Sequence, residues 1–268
     1  MWVHRSGEFY RERPIVIYEY QKGRDHQKPL SFYKDYKGIL VTDGLQQYHL
    51  VDKKLPGVTN ANCWAHARRD FADAVKAMDK KDPSAVRNSV AYVALQKIGE
   101  FYNADTELKG LSSEERLQKR QETIQPLVED FFAWVKEQIS QCTVPPKSKT
   151  GQGLQYLIHQ ETYLKVFLTD GDVPIDNSAS ERSIRTFCIG KKNWMFHNTA
   201  NGASASAMVY SISETAKLND LRPYYYFRYI LTELPKRSDE NGNIDPSKLD
   251  DLMPWSSALP DECRKLRR

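Results

Sequence analysis

The chain has 268 residues, 40% of them hydrophobic, 28% charged and 11% aromatic, a length that holds one large domain or two small ones. Its 15 Tyr, 10 Phe and 5 Trp exclude a solvated disordered coil, and the lack of any run near ~18 apolar residues excludes a membrane-spanning helix. The 39 Lys and Arg against 35 Asp and Glu leave a net charge of +4, too little to imply nucleic-acid binding, because a binding footprint is a local cluster and not a total.

Residues 1–4 read as a strand stub that pairs, through the turn-rich stretch 5–13, with a strand over 15–20. There Ile15, Val16, Ile17 and Tyr18 are β-branched or aromatic, and Pro14 and Gly23 bound the run. A short helix follows near 29–36, with Leu30, Tyr33 and Tyr36 on one side and Gly38 closing it. Ile39, Leu40, Val41 and Thr42 make a continuously apolar strand of the buried kind, which stops at Asp43 and Gly44. Strand, strand, helix, strand is an α/β beginning.

From Trp64 the period becomes helical, with Trp64, Ala67, Phe71, Val75 and Met78 recurring at three- and four-residue spacing. Asp82 and Pro83 open a second helix carrying Val86, Val90, Ala94, Ile98 and Phe101. A third helix lies near 113–125, and Pro126 starts or kinks a fourth with Val128, Phe131, Val135 and Ile139. The stretch 66–140 has no strand signal. Residues 144–151 form a loop, and a helix through Leu154, Leu157, Leu164 and Leu168 closes at Asp170 and Gly171. Beyond a turn at 173–177 come a helix near 178–188 and an extended piece at 193–196. A helix from about 204 to 218 ends at Asn219 as a left-handed cap, and Pro223 begins a helix to about 234. The tail from Pro235 is polar apart from 249–255.

Two acidic residues stand where chemistry is possible. Asp43 directly follows a strand, and in α/β sheets the carboxyl ends of strands gather ligands and catalytic groups; an ordinary Asp-Gly turn is the plain alternative. Glu181 opens the helix after 173–177, where Ser178 and Glu181 also fit a capping box. A cap does not account for Arg182, Arg185, Lys191 and Lys192, which follow with no acid across 182–192. Arg182 and Arg185 share a helix face, and with the two lysines they suit phosphate. Cys63 and His66 are half of a zinc motif with no second half in the sequence, so packing near the strand ends is the favoured reading. Asp25, His26 and His159 stand alone, and the basic run 264–268 reads as a solvated tail. No Gly-rich phosphate loop, Ser-His-Asp order or dinucleotide fingerprint occurs. Scattered cysteines at 63, 142, 188 and 263 and an N-terminus without the apolar core of a signal peptide point to a reduced, cytoplasmic chain.

Taken together, Val41-Thr-Asp43-Gly, Cys63-Trp-Ala-His66-Ala-Arg68-Arg69, Asp176-Asn177-x-x-Glu181-Arg182-x-x-Arg185 and Gly190-Lys-Lys-Asn-Trp194-x-Phe196 resemble the catalytic core of transposases of the insertion sequence 66 family. Tyr210-Ser-x-x-Glu214-Thr-Ala-Lys217-Leu-Asn219 and Leu252-Met-Pro254-Trp255 resemble its C-terminal element, so the likeness runs in order over most of residues 1–255. The resemblance implies an α/β, RNase H-like mixed sheet with a large all-helical insertion before the glutamate and a helical C-terminal element. It divides the chain into core (1–63), insertion (64–150), continued core with the glutamate helix (151–203) and C-terminal element with tail (204–268). It also implies Asp-Asp-Glu carboxylates binding two Mg²⁺ or Mn²⁺ ions, and cutting and strand transfer of transposon ends into target DNA. The intact protein would be a homo-oligomer.

By position Asp43 matches the second carboxylate and Glu181 the third, both as metal ligands lying within one site. Arg182, Arg185, Lys191 and Lys192 would meet DNA backbone, and Cys63, His66, Asn177 and Trp194 would support the site. The family's first aspartate lies on a first strand, whereas this chain reads as starting on the second; Glu8 and Glu12 sit in a turn-like stretch. The expectation is a core fragment lacking its first strand and inactive alone, with open strand edges along 1–5 and 15–20 that promote aggregation. The alternative is a non-catalytic DNA-binding or dimerisation module derived from a transposase.

Overall fold

A computed structural model describes residues 1–23, 27–79 and 81–265. Asp25, His26 and the last residues of the basic tail lie outside them. In chain order the elements are β1 (Trp2–Arg5), β2 (Val16–Glu19), α1 (Gln27–Phe32), β3 (Gly38–Thr42), α2 (Gln46–Lys54), β4 (Val58–Asn62), α3 (Trp64–Ala67) and α4 (Arg69–Ala77). There follow α5 (Pro83–Arg87), α6 (Val90–Glu107), α7 (Ser113–Lys119), α8 (Gln125–Ser140) and α9 (Lys149–Leu164). The chain continues with α10 (Ser178–Trp194), α11 (Ala200–Leu218) and α12 (Pro223–Glu233). The fold is mixed α/β and mostly helical, with two small two-stranded sheets among the described residues. Two compact units form, one from Met1–Arg24 with Ala179–Arg268 and one from Asp25–Ser178. They follow tertiary contacts and cut the chain at other points than the four sequence segments.

In the first unit β1 and β2 pair antiparallel, with Val3 opposite Tyr18 and Arg5 opposite Val16. Ser6 N donates to Ile15 O at 3.0 Å, so by the alternation of antiparallel ladders the main-chain groups of Val16 and Tyr18 face away from β1. Two hydroxyls one turn apart on α11 meet them. Val16 N donates to Thr215 Oγ1 at 3.1 Å, and Thr215 Oγ1 donates back to Val16 O at 3.0 Å. Tyr18 N donates to Ser211 Oγ at 2.8 Å. The open edge expected along 15–20 is therefore closed, by side chains of a helix and not by a strand. Val16 and Tyr18 bury their side chains with Phe187 and Ala207. A second cluster joins Ala216, Leu221, Tyr226 and Ile230 to Leu252, Leu259 and Cys263, so the polar tail is anchored well past 255.

The second unit holds a parallel strand pair, Gly38 opposite Val58 through Thr42 opposite Asn62, with α2 as the crossover. The sequence reading missed both α2 and β4, because β4 turns Asn60 and Asn62 inward where an apolar alternation would be looked for. β3 is only half-buried apart from Thr42, short of the fully buried strand expected. Around Trp64, itself 0% exposed, a helical core gathers Phe71, Phe101, Phe131, Phe132, Leu157 and Leu164. The Trp64 indole N–H donates to Leu164 O at 2.8 Å, as a buried indole must.

Several helix boundaries differ from expectation for local reasons. Asp82 and Ser89 each cap their own helix, splitting the second expected helix into α5 and α6. Pro126 lacks the N–H that would continue an α-helical ladder, and the chain widens into a π-helical turn at Arg120–Ile124 before α8. The extended piece expected at 193–196 is helix in its first half, since α10 runs to Trp194. Gly190 allows this: a side chain there would collide with the Tyr210 hydroxyl. The left-handed residue after α11 is Asp220 (φ 55°), not Asn219; the Asn219 amide donates to Pro14 O at 2.9 Å and Thr215 O at 2.8 Å instead.

Candidate functional site

Asp43 ends β3 and leads into α2. Its Oδ1 accepts from Leu45 N at 3.1 Å, the Asx turn that an Asp-Gly pair favours. Beneath the turn runs a directed chain of hydrogen bonds. Gly44 N donates to Thr42 Oγ1 (3.2 Å), Thr42 to Asn60 Oδ1 (3.0 Å), Asn60 Nδ2 to Asn62 Oδ1 (2.9 Å) and Asn62 Nδ2 to Gln160 Oε1 (2.8 Å). Thr42, Asn60 and Asn62 are buried, where unpaired amides would be costly, so this chain explains how a strand with inward asparagines persists. It ties the Asp43 turn to α9.

Also from α9, the Tyr156 hydroxyl is buried without a hydrogen-bond partner among the described residues and lies against Gly44, whose φ is +80° and whose place no side chain could take. Burial pushes the Tyr156 phenol up to about 12, with the charges of Cys63 and Asp43 adding to the shift. Burial does the same for Tyr48, also to about 12, again with Asp43 contributing. Both phenols are held neutral, and the Asp43 charge adds to the shift of each. Neither was singled out from the sequence, because tyrosines at helical spacing carry no local mark of a site.

Cys63 and Asn177 are in contact. Asn177 N donates to Cys63 Sγ at 3.4 Å, and burial raises the thiol to about 11, which keeps it protonated and unreactive. His66 lies in the last turn of α3. Tyr102 donates to Asp176 Oδ2 at 3.2 Å, and Asp176 Oδ1 accepts from Ser178 N at 2.8 Å. Asp176 therefore holds the first amide of α10, a part the sequence analysis gave to Ser178. Trp194 belongs to the first unit, where it packs edge-on against Phe187 with ring centres 5.2 Å apart.

In that unit α10 buries Ala179, Ser183 and Phe187 at four-residue spacing. Arg5 secures the buried side by donating to Ala179 O and Ser183 Oγ, both at 3.1 Å. Glu181, Arg182, Arg185, Lys191 and Lys192 all fall on the exposed side. Arg182 pairs with Glu8 at 3.5 Å, a role for Glu8 not foreseen in the sequence. The side chains of Arg185, Lys191 and Lys192 have no ion-pair or hydrogen-bond partner among the described residues. Asp43 and Glu181 lie in different units.

No helix among the described residues is long and apolar enough to cross a membrane. The family model described as "Transposase IS66 family" matches residues 1–205, and the one described as "IS66 C-terminal element" matches residues 211–255. The chain is similar to three uncharacterized proteins of Sinorhizobium fredii (strain NBRC 101917 / NGR234). Protein y4hP is 29% identical over 249 residues, covering 90% of this chain and 44% of the relative. Protein y4qI is 28% identical, covering 91% and 43%, and y4jD 26% identical, covering 91% and 46%. The chain spans less than half the length of these curated relatives. No solved structure matches it. With the family model running over residues 1–205 of 268 and the C-terminal element following in order, this chain belongs to the IS66 family of transposases.

Proposed function

We propose that this chain is a portion of the catalytic core of an insertion-sequence transposase, with an RNase H-like fold, that engages DNA for phosphodiester cleavage and strand transfer. The family match over residues 1–205 carries the reading. Two features of the structure support it: a parallel βαβ unit that presents Asp43 at a strand's carboxyl end, and an exposed α10 side that carries Glu181 and four cations. Asp43 and Glu181 are the proposed catalytic carboxylates. Arg185, Lys191 and Lys192, with Arg182 beside Glu8, are the proposed phosphate contacts, which position the backbone without reading sequence.

The same reading brings two Mg²⁺ or Mn²⁺ ions, which as hard cations take oxygen ligands and would stabilise an in-line displacement at phosphorus. Asp43 offers Oδ2, since its Oδ1 is engaged by Leu45 N. Among the described residues no three Asp, Glu, His or Cys side chains gather as an ion site. Asp43 by itself does not make up a complete two-ion site. What the chain's own residues do is hold phosphates on α10 and keep the Asp43 turn rigid through the Thr42–Asn60–Asn62–Gln160 chain.

The test is DNA affinity as a function of salt, followed by incubation with Mg²⁺ or Mn²⁺. The logarithm of the binding constant should fall linearly with log salt, and each of R185A, K191A and K192A should lower the slope by about one phosphate's worth. This chain by itself should bind without cutting. An unchanged slope in the triple variant overturns the reading. Cleavage that survives both D43N and E181Q assigns the chemistry to other acids. The exposed cations of α10 also suit a second reading, a non-catalytic DNA-binding or dimerisation module. A longer family chain that carries these residues and binds DNA but never cuts it would select that one.

A further inference from the structure

The end of α10 displays two large apolar side chains to solvent. Phe196 is 71% exposed and Met195 65%, although apolar side chains of this size are ordinarily driven into a core. Their neighbours are packed: Trp194 lies edge-on against Phe187, and its ring centre is 4.2 Å from that of His197. The backbone makes the division. Met195 N donates to Lys191 O at 2.8 Å, closing the last helical turn, and Phe196 N donates to Trp194 O at 2.7 Å. Met195 itself sits at φ 63°, a left-handed conformation uncommon for a residue with a side chain. The turn thus keeps Trp194 and His197 inward and hands Met195 and Phe196 outward.

The surroundings select one kind of occupant. Lys191 and Lys192, five and four residues before Phe196 at the end of α10, are exposed, and their side chains have no ion-pair or hydrogen-bond partner among the described residues. No Asp or Glu occurs anywhere in residues 182–213. An exposed apolar ring within a few residues of uncompensated cations matches a polyanion that carries flat aromatic groups. Bases inside a duplex are already stacked, whereas an unpaired base has a face free for an aromatic side chain, and such stacking tolerates any sequence.

We propose that Phe196, with Met195 beside it, is a stacking platform for an unpaired DNA base whose flanking phosphates are held by Lys191 and Lys192. The proposal rests on the DNA-binding reading above and adds the part of the ligand that the cations do not touch. Electrostatic and stacking contributions separate by salt. Cations set the slope of log affinity against log salt; a stacked ring contributes equally at every salt concentration.

The experiment uses the full chain and a mixed-sequence duplex with a short unpaired end carrying 2-aminopurine, titrated at several salt concentrations. F196A should weaken binding by about tenfold at every salt, leave the slope as in wild type, and abolish the quenching of 2-aminopurine. F196Y, which keeps the ring, should retain both affinity and quenching. The K191A and K192A double variant should lower the slope and leave quenching in place at saturation. F196A that binds and quenches like wild type, while the lysine variant still lowers the slope, overturns the platform and leaves the DNA reading standing. Wild-type chain without salt-dependent binding overturns both.

Discussion

Removing one methyl-sized hydroxyl from α11 should loosen the whole N-terminal hairpin. Thr215→Val keeps the side-chain shape but deletes the oxygen that receives Val16 N–H at 3.1 Å and donates to Val16 C=O at 3.0 Å. Both groups face away from β1, and Val16 is 1% exposed and Thr215 6%, so neither the partner strand nor water can replace the lost contacts. Each unsatisfied buried group costs about 1–3 kcal/mol, and the newly buried methyl returns about 0.8 kcal/mol. The expected net loss is about 3 kcal/mol. Ser211→Ala, which leaves Tyr18 N–H unpaired at a part-buried site, should cost about 1 kcal/mol. Because the chain has two compact units, amide hydrogen exchange is the appropriate assay: it reads local opening, while a global melt averages over units. Val16 and Tyr18 amides should exchange slowly in wild type, and the Val16 amide should lose protection by the full amount in Thr215→Val. A variant within 0.5 kcal/mol of wild type, with Val16 protection unchanged, would refute the edge-closing role of these hydroxyls.

Other consequences follow from the same geometry. Arg120, 0% exposed, donates to Asp105 Oδ1 at 2.7 Å and to the carbonyls of Phe167, Asp170 and Val173 at 2.8–3.0 Å, so Arg120→Met should cost about 3–5 kcal/mol by stranding a buried carboxylate. The urea midpoint should recover in part on adding Asp105→Leu, and a single variant costing under 1 kcal/mol would contradict this account. Gly44→Ala should destabilise the second unit through both the Tyr156 hydroxyl and the +80° φ; pairing it with Tyr156→Phe should relieve only the first part, and a double-mutant cycle with no coupling would show that the two do not touch. Burial holds the His4 imidazole below its ordinary 6.5, with Glu19 pulling the other way. A lowered folded value means the unfolded state takes up the proton first, so stability is full above pH 6.5 and declines below it. His4→Gln should flatten the urea midpoint between pH 7 and 5, and an unaltered pH profile would remove His4 from that account.

Local chemistry made much of the molecule legible without coordinates. The β-branched run at 15–18, the Asp82-Pro83 helix start and Pro223 at the head of α12 act over one or two turns of chain, and each stands where the residues alone place it. The cation row of α10 and the position of Asp43 behind an apolar strand are of the same kind, as are the ordered motifs that mark the family. The remainder depended on partners distant in sequence. β4 carries asparagines where apolar residues are expected, and it is a strand because Thr42 and Gln160, the latter 98 residues from Asn62, satisfy them. α10 passes through Gly190 because Tyr210 occupies the space a side chain would need. β2 needs no neighbour on its outer edge because two hydroxyls some 190–200 residues away bond its backbone. Hydrogen bonds and close contacts of this kind depend on which groups meet in space. Residue type and spacing announce a helix or a strand, but they do not say which buried polar group will find its partner, and that pairing decides where Asp43, Tyr156 and the start of α10 are held.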